Sequence, residues 1–277
     1  MAESFGERLQ ERIRALGPLC VGIDPSASLL AQWERPDSVE GLEFFSLAVL
    51  EAATGSAAAI KPQVAYFERF GSAGYRVLER VIQEAHDAEV MVIADAKRGD
   101  IGATNEAYAS AWLEASSPLC CDAVTLSPFT GVGALSPFFA RAVDGRGVFV
   151  LAATSNDEGR TIQRARNDAD EAVEDHILSL ISQMNRRDEG LGSIGVVLGA
   201  TRERPRFELA QLHGPYLVPG VGAQGATPEH VGKLFDRCPE GTVLVNVARA
   251  ILETGPDRSA LRDSVRRWRD NLTTFLR

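Results

Sequence analysis

The chain alternates between short apolar segments and longer amphipathic ones, and this alternation restricts it to few folds. Most of the apolar segments are apolar almost throughout rather than at every second position, which is typical of strands covered on both faces of a parallel sheet. Eight such segments are predicted as strands: Pro18–Asp24, Ala57–Gln63, Val90–Lys97, Ala123–Ser127, Gly147–Thr154, Ile194–Ala200, Tyr216–Val221 and Thr242–Val247.

The segments between these strands favour helices. Four have apolar residues at helical spacing: Gly41–Thr54, Tyr75–Ala88, Glu171–Arg187 and Ser259–Leu276. Strand–helix alternation over about eight units predicts an α/β protein, and at 277 residues a single-domain (β/α)8 TIM barrel spanning residues 1–277. A doubly wound open sheet is the alternative, but no G-x-G-x-x-G motif follows the first strand. The charged segment Asn156–Asp170 is predicted to be a surface loop.

Composition narrows the partners and the compartment. The net charge of −9 makes nucleic acid an unfavourable partner, and a phosphorylated small molecule would need a local basic pocket. No apolar run approaches the roughly 18 residues of a membrane span, and the N-terminus lacks the apolar region of a secretory signal. The four cysteines contain no C-x-x-C pair, so we expect reduced thiols and a cytoplasmic protein.

The segment from Asp95 to Thr104 carries the most informative group of charges. Residues two apart on a strand face the same way, so Asp95 and Lys97 are predicted to point together. Glycines on both sides of Asp100 permit a tight turn, which could bring Asp100 back to this pair or aim it at a partner subunit. Lys61 ends an earlier strand, where the proline that follows favours an extended conformation.

Each of these charges also has a purely structural interpretation. Asp95 and Lys97 could form a structural ion pair, Asp100 could cap the helix beginning near Ala103, and Asp24 could be a turn residue. Together they favour an active site, because strand after strand places a charged or polar group at its carboxyl end, where barrel enzymes have their active sites.

A phosphate-binding region is predicted after the last two strands. The glycine-rich segment Val218–Gly225 includes Pro219 and Gln224, and glycines let backbone N–H groups approach an anion. Arg249 follows the eighth strand and would add charge-assisted hydrogen bonds. Barrels often bind phosphate with these two loops. The four histidines lack metal-ligand spacing, so no metal site is predicted.

These motifs resemble those of the orotidine 5′-phosphate decarboxylases. Asp95–Thr104 matches the family pattern D-x-K-R-x-D-I-x-x-T at every fixed position. One departure is Asn156-Asp157-Glu158-Gly159, since the family pattern has a proline and a glycine after Thr-Ser-Asn. Further matches are spread along most of the chain and resemble the longer-chain subgroup of the family: residues 21–25, 60–63, 126–129, 154–156, 195–201, 217–225 and 246–251.

The resemblance implies a homodimeric enzyme that needs no cofactor or metal and converts orotidine 5′-monophosphate (OMP) to UMP and CO2. It implies an alternating charge network of Lys61, Asp95, Lys97 and Asp100, with Asp100 contributed across the dimer interface. Lys97 would protonate the carbon that loses CO2.

The resemblance also implies the substrate contacts. Asp24 and Thr104 would hold ribose hydroxyls, with Ile101 and Thr104 reaching in from the partner subunit. Ser155 would read the pyrimidine edge. Gln224 and Arg249 would hold the phosphate, beside the loop that contains Pro219.

Three other functions remain open. Sugar-phosphate decarboxylases or synthases share D-x-K-x-x-D but use magnesium, and Arg98 and Thr104 disfavour them. A Schiff-base aldolase would need Lys61 or Lys97 to be neutral, which neighbouring aspartates oppose. An inactive barrel that binds a nucleotide as a sensor would have no need of the intact charges.

Overall fold

Eight parallel strands close into a barrel in chain order, which confirms the predicted fold and excludes the open sheet. The computed structural model describes residues 3–142, 144–186, 190–223 and 225–276. Closure comes from β1, which pairs with both β2 and β8. The strands are β1 (Leu19–Ile23), β2 (Ala59–Pro62), β3 (Met91–Arg98), β4 (Ala123–Leu126), β5 (Gly147–Ala153), β6 (Ile194–Leu198), β7 (Tyr216–Val218) and β8 (Val243–Val247).

Helices surround the barrel, and all four predicted ones are present with slightly different ends. They are α3 (Val39–Ala53), α5 (Gly71–Asp87), α9 (Val173–Asn185) and α12 (Arg258–Phe275). The helix expected to begin near Ala103 is α6 (Gly102–Leu113). The remaining helices were not predicted: α1 (Phe5–Leu16), α2 (Ala27–Gln32), α4 (Ala65–Glu68), α7 (Ser136–Ala142), α8 (Arg160–Gln163), α10 (Pro228–Leu234) and α11 (Arg249–Leu252).

The charged segment Asn156–Asp170 is largely exposed, as predicted, but it is not simply a loop. It contains a 3-10 turn at Asp157–Gly159 followed by α8. Arg160 pairs with Asp157 at 3.2 Å within this turn. Such short helical turns are stabilised by local contacts, and they lack the long apolar repeat by which helices are recognised in a sequence.

The core has two layers, separated by the barrel wall. The outer layer lies between strands and helices, and the inner layer fills the barrel. Along β3, Met91 and Ile93 point inward whereas Val92 and Ala94 point outward. This alternation continues to Asp95, which therefore points into the barrel at its carboxyl end.

Helix α1 closes the amino end of the barrel. Ser4 and Glu7 form a capping box that starts the helix. Its apolar side chains Phe5 and Leu9 are completely buried against the inner core, where the Phe5 ring meets Phe149 edge-on at 6.0 Å. Burying a side chain of this size stabilises a fold by about 1.5–3 kcal/mol. With this end closed, the barrel interior opens toward the carboxyl ends of its strands.

The cysteines are free thiols, as expected from their spacing. Cys20, Cys120 and Cys121 are buried and Cys238 is half-buried. Burial raises the pKa of the Cys20 thiol to about 12. Within the described part of the chain, no helix is both long enough and apolar enough to cross a membrane.

Candidate active site

A cavity of about 360 Å³ opens at the carboxyl ends of the strands. Its floor contains one side chain from each strand or the residue just after it: Asp24, Lys61, Asp95, Thr125, Leu151, Val197, Leu217 and Asn246. The side that belongs to β8 and β1–β4 is polar or charged, and the side that belongs to β5–β7 is apolar. A ligand on this floor would therefore contact fixed charges on one side and a water-excluding surface on the other.

The Asp95 carboxylate is the centre of the polar side and accepts four hydrogen bonds. Its Oδ2 accepts from Lys61 Nζ at 2.6 Å and from Gln63 Nε2 at 3.1 Å. Its Oδ1 accepts from Lys97 Nζ at 2.5 Å and from the Thr125 hydroxyl at 2.9 Å. Each carboxylate oxygen has two donors, so Asp95 is held as a fixed anion between two ammonium groups.

Opposite charges keep this buried cluster ionised. Burial by itself would raise the pKa of Asp95, but Lys61 and Lys97 outweigh it and hold that pKa far below its ordinary value. Burial would likewise lower the pKa of Lys61, yet Asp95 and Asp24 more than reverse this and hold it above its ordinary value. Asp95 and Lys61 are therefore both charged at neutral pH.

Asp24 differs from Asp95 in having too few partners. Burial raises its pKa, only partly offset by Lys61. Its Oδ1 is buried and has no hydrogen-bond partner among the described residues, and the same is true of Oδ1 of Asn246, which also lines the cavity. Buried polar atoms are normally paired, so these two oxygens are suited to accept hydrogen bonds from a ligand.

Lys97 points toward Asp95, as the strand pattern predicts, but the strand is not regular at this point. Pairing between β3 and β4 is shifted between Ala94 and Arg98. Lys97 itself has φ of 49°, in the left-handed region that residues with side chains rarely adopt. Its side chain is 46% exposed and lines the cavity. Its ammonium is thus tied to Asp95 and open to a ligand.

Asp100, Ile101 and Thr104 do not join this cavity within one chain. Ile101 is 62% exposed, Thr104 is also exposed, and Asp100 is half-buried. The Asp100 carboxylate accepts the N–H of Ile101 at 2.8 Å, and no side chain of the described residues caps α6, so the helix-cap interpretation of Asp100 is wrong. The buried Asn105 holds the turn by accepting the Asp100 N–H at 2.8 Å and donating to the Asp100 carbonyl at 2.6 Å.

The predicted phosphate region lies on the cavity wall. Pro219, Gly220 and Arg249 line it, and Ser155 lines it as well. Gly220 has φ of 99°, which explains a glycine at this position. Gln224 lies outside the described residues. The structure therefore brings together seven of the predicted residues: Asp24, Lys61, Asp95, Lys97, Ser155, Pro219 and Arg249.

Sequence reasoning missed two partners of Asp95 and one structural role. Thr125 stands at an inward position of β4, and Gln63 lies just after β2, two residues beyond Lys61. Strand parity was the available signal for both. Arg98 turns away from the cavity, pairs with Glu68 and lies over the ring of Trp112 at 5.7 Å. The arginine of the D-x-K-R motif thus anchors the strand end to the surrounding helices.

Comparison with known proteins agrees with this geometry. An orotidine 5′-phosphate decarboxylase of Salinispora arenicola is 50% identical over 261 residues, which cover 94% of each chain, and that of Streptomyces coelicolor is 46% identical over 274 residues, which cover 98% of each. The crystal structure of a provisionally named orotidine 5′-phosphate decarboxylase from Streptomyces avermitilis superimposes with a TM-score of 0.95 at 46% identity, covering 99% of this chain and 96% of that one. Residues 17–264 match the Orotidine 5′-phosphate decarboxylase / HUMPS family, and the chain therefore belongs to that family.

Proposed function

We propose that this protein decarboxylates OMP to UMP and CO2, the last step of de novo pyrimidine nucleotide synthesis, without a cofactor or a metal. The observation that carries the proposal is the Lys61–Asp95–Lys97 cluster on the floor of a cavity whose other side is apolar. The family and the names of relatives that are 46–50% identical support decarboxylation of OMP over the sugar-phosphate reactions.

The chemistry requires a positive charge at one carbon. When the bond to the carboxylate breaks, CO2 leaves and the electron pair stays on the ring carbon. The Lys97 ammonium stabilises this pair and then transfers a proton to it, which leaves a neutral amine. Two unit charges 4 Å apart interact by about 4 kcal/mol at an effective dielectric near 20, which corresponds to a rate factor of roughly a thousand. The half-exposed Lys97 regains its proton from solvent.

Asp95 and Lys61 prepare Lys97 for this step. Asp95 fixes the Lys97 ammonium in place through the hydrogen bond of 2.5 Å that Lys97 Nζ donates to Asp95 Oδ1. The Lys61 ammonium donates a hydrogen bond to Oδ2 of Asp95 and stabilises its negative charge, so the aspartate remains an anion when substrate binds. Leu151, Val197 and Leu217 exclude water on the opposite side, which strengthens the electrostatic interactions around the reacting carbon.

The remaining residues bind parts of the substrate that are remote from the reacting carbon. The unpaired Oδ1 of Asp24 accepts a ribose hydroxyl, and Ser155 reads the pyrimidine edge. Arg249 and the loop that contains Pro219 bind the phosphate, and the family resemblance assigns the same role to Gln224. Because the phosphate takes no part in bond breaking, its binding energy can be used to position the base.

We further propose a homodimer in which Asp100, Ile101 and Thr104 complete the partner's site. These residues lie outside their own cavity, and a nearby loop exposes the large apolar side chain of Phe129 (83% exposed). The hydroxyl of Thr130 donates to the Asp100 carbonyl at 3.0 Å and so joins the two loops. An exposed apolar surface of this kind is typical of an interface, and a two-fold contact gives each subunit the other's Asp100.

The primary test is a spectroscopic assay for the loss of OMP absorbance as UMP forms. We expect turnover by the purified protein, and absence of turnover would contradict the proposed reaction. Turnover of a sugar phosphate that depends on magnesium would instead support the other branch of the family. Trapping of a substrate by borohydride would support a Schiff-base aldolase, and nucleotide binding without turnover would support a sensor.

The proposal that each active site is shared between two subunits has a separate test. Lys97→Ala and Asp100→Ala should each be inactive alone. In a mixed dimer one site carries both defects and the other carries neither, and half of the dimers are mixed. Mixing should therefore restore up to about a quarter of wild-type activity. Verified subunit exchange without recovery would mean that Asp100 serves its own subunit.

The free cysteine thiols bear on the cellular compartment of the protein. We infer that the protein is cytoplasmic, because its four free cysteines are compatible with a reducing environment. Detection of the protein in the cytosolic fraction of a cell lysate would support this inference, and detection in another fraction would contradict it.

A further inference from the structure

We infer that Thr125 is a positioning residue that places the Lys97 ammonium for proton transfer, an inference that rests on the proposed function. Thr125 lies on β4 with 1% of its surface exposed, and it belongs to the polar side of the cavity floor. Its hydroxyl donates to Asp95 Oδ1 at 2.9 Å and accepts the backbone N–H of Lys97 at 3.0 Å. It therefore contacts both the lysine and the aspartate that holds it.

The strand irregularity explains why a side chain is needed at this position. Ala94 pairs with Val124 and Arg98 with Leu126, so β3 advances four residues while β4 advances two. Lys97 lies in this interval in the left-handed region, a conformation that persists only when its surroundings hold it. Its backbone N–H donates to the Thr125 hydroxyl. This side chain thus stabilises the unusual backbone of the residue that carries the ammonium.

The four groups form a closed ring of hydrogen bonds. It runs from the Lys97 backbone N–H to the Thr125 hydroxyl, on to Asp95 Oδ1, and back to Lys97 through its own ammonium at 2.5 Å. A hydroxyl has a single hydrogen, and here it points to Asp95, which leaves an oxygen lone pair for Lys97. Both ends of the lysine are therefore fixed relative to one carboxylate oxygen.

The substitution Thr125→Val removes the hydroxyl and keeps the size and branching of the side chain. We expect kcat to fall about 100-fold, because displacement of a catalytic group by about 1 Å has an effect of this order. The KM for OMP and the dissociation constant of UMP should change less than about threefold, because the ribose and phosphate contacts lie elsewhere. Thr125→Ser keeps the hydroxyl and should recover kcat to within about threefold of wild type.

Thr242→Val is a matched control. Thr242 is also buried, and its hydroxyl donates to the Pro239 carbonyl at 2.7 Å before β8 begins, at the closed end of the barrel. Thr242→Val removes a buried hydrogen bond and should lower the melting temperature, while leaving kcat unchanged. A loss of kcat specific to position 125 would then reflect position in the site and not general destabilisation.

The outcomes separate the inference from the proposed function. If wild type turns over OMP and Thr125→Val keeps kcat within about threefold, the inference is wrong and the proposed function stands. If the serine variant is as impaired as the valine variant, packing and not the hydroxyl is responsible, which also overturns it. If wild type is inactive, the proposed function fails, and crystal structures of wild type and Thr125→Val then decide whether the Lys97 ammonium moves away from Asp95. An unmoved ammonium would overturn the positional role as well.

Discussion

Replacing Asp95 with asparagine should destabilise the protein as well as inactivate it. The Lys61 side chain is only 5% exposed, and its ammonium lies 2.6 Å from Asp95 Oδ2. Removing one partner of a buried ion pair typically costs about 3–5 kcal/mol, because the other charge is left without compensation. An amide also offers one acceptor oxygen where the carboxylate offers two, so one pair of the four donors around Asp95 loses its acceptor.

Urea unfolding followed by circular dichroism at pH 7 measures this loss. Since whole domains are stable by only about 5–15 kcal/mol, the loss should be a large fraction of the total. Glu43→Gln is the matched control, because it breaks the exposed Glu43–Arg80 pair of 2.9 Å and should change the free energy of unfolding far less. Adding Lys61→Met to Asp95→Asn should recover part of the loss by removing the uncompensated ammonium.

The pH dependence provides a second check. The pKa of Asp95 is lowered in the folded protein, so its stabilisation is present above the unfolded carboxyl pKa of about 4 and is lost as the pH falls toward the folded value. The pKa of Lys61 is raised, so its stabilisation is present below about pH 10 and is lost above it. The difference in the free energy of unfolding between wild type and Asp95→Asn should therefore be constant near pH 7 and should become smaller as the pH falls below about 4. A loss below about 1 kcal/mol at pH 7 would refute the reasoning.

Four further predictions concern other parts of the molecule. Lys97→Ala should abolish decarboxylation yet leave UMP binding measurable by calorimetry, and a loss of activity below about tenfold would exclude Lys97 as the proton donor. Arg249→Ala should weaken OMP binding by about 1.5–3 kcal/mol and barely affect an analogue without phosphate, whereas equal losses for both would make Arg249 structural. Activity should survive exhaustive chelation without added cofactor, and restoration of chelated enzyme by magnesium would contradict this. Asp122→Ala, at the closed end of the barrel, should lower the free energy of unfolding by about 1–3 kcal/mol at pH 7 while leaving kcat unchanged, because Asp122 accepts the Val92 N–H at 2.9 Å and a bond from Arg8 at 3.2 Å. A fall in kcat would contradict this placement.

The strands and the Asp95–Lys97 pair could be predicted because both depend on local pattern. Strands buried on both faces are continuously apolar, and residues two apart share a face. The start of helix α6 near Ala103 was predicted but its extent was not, because its alanines and glycine give no apolar stripe, although Trp112 and Leu113 are buried. Helix α1 had a readable signal in Ser4 and Glu7, which form its capping box.

The contacts between strands could not be predicted in the same way. Gln63 and Thr125 lie next to Asp95 only because of the register of β2 and β4 against β3, which the sequence of one strand does not contain. The left-handed backbone conformation at Lys97 could not be predicted, because this position has neither glycine nor asparagine, the residues that usually adopt it. Asp100 does not line the cavity of its own chain, and the role proposed for it requires a second copy of the chain.

The pairing of the first and last strands ties catalysis to the order in which the chain is made. Cys20 on β1 pairs with Asn246 on β8, and this contact brings Asp24 beside Asn246 and Arg249 on one cavity. A nascent chain that ends before β8 already contains Lys61, Asp95 and Lys97, but β1 still has a free edge, and Asn246 and Arg249 are missing from the cavity. The cavity around this charge cluster is therefore completed only when the last strand is added. Activity therefore requires the last strand to be synthesised, and a chain truncated before β8 should be inactive although it retains Lys61, Asp95 and Lys97.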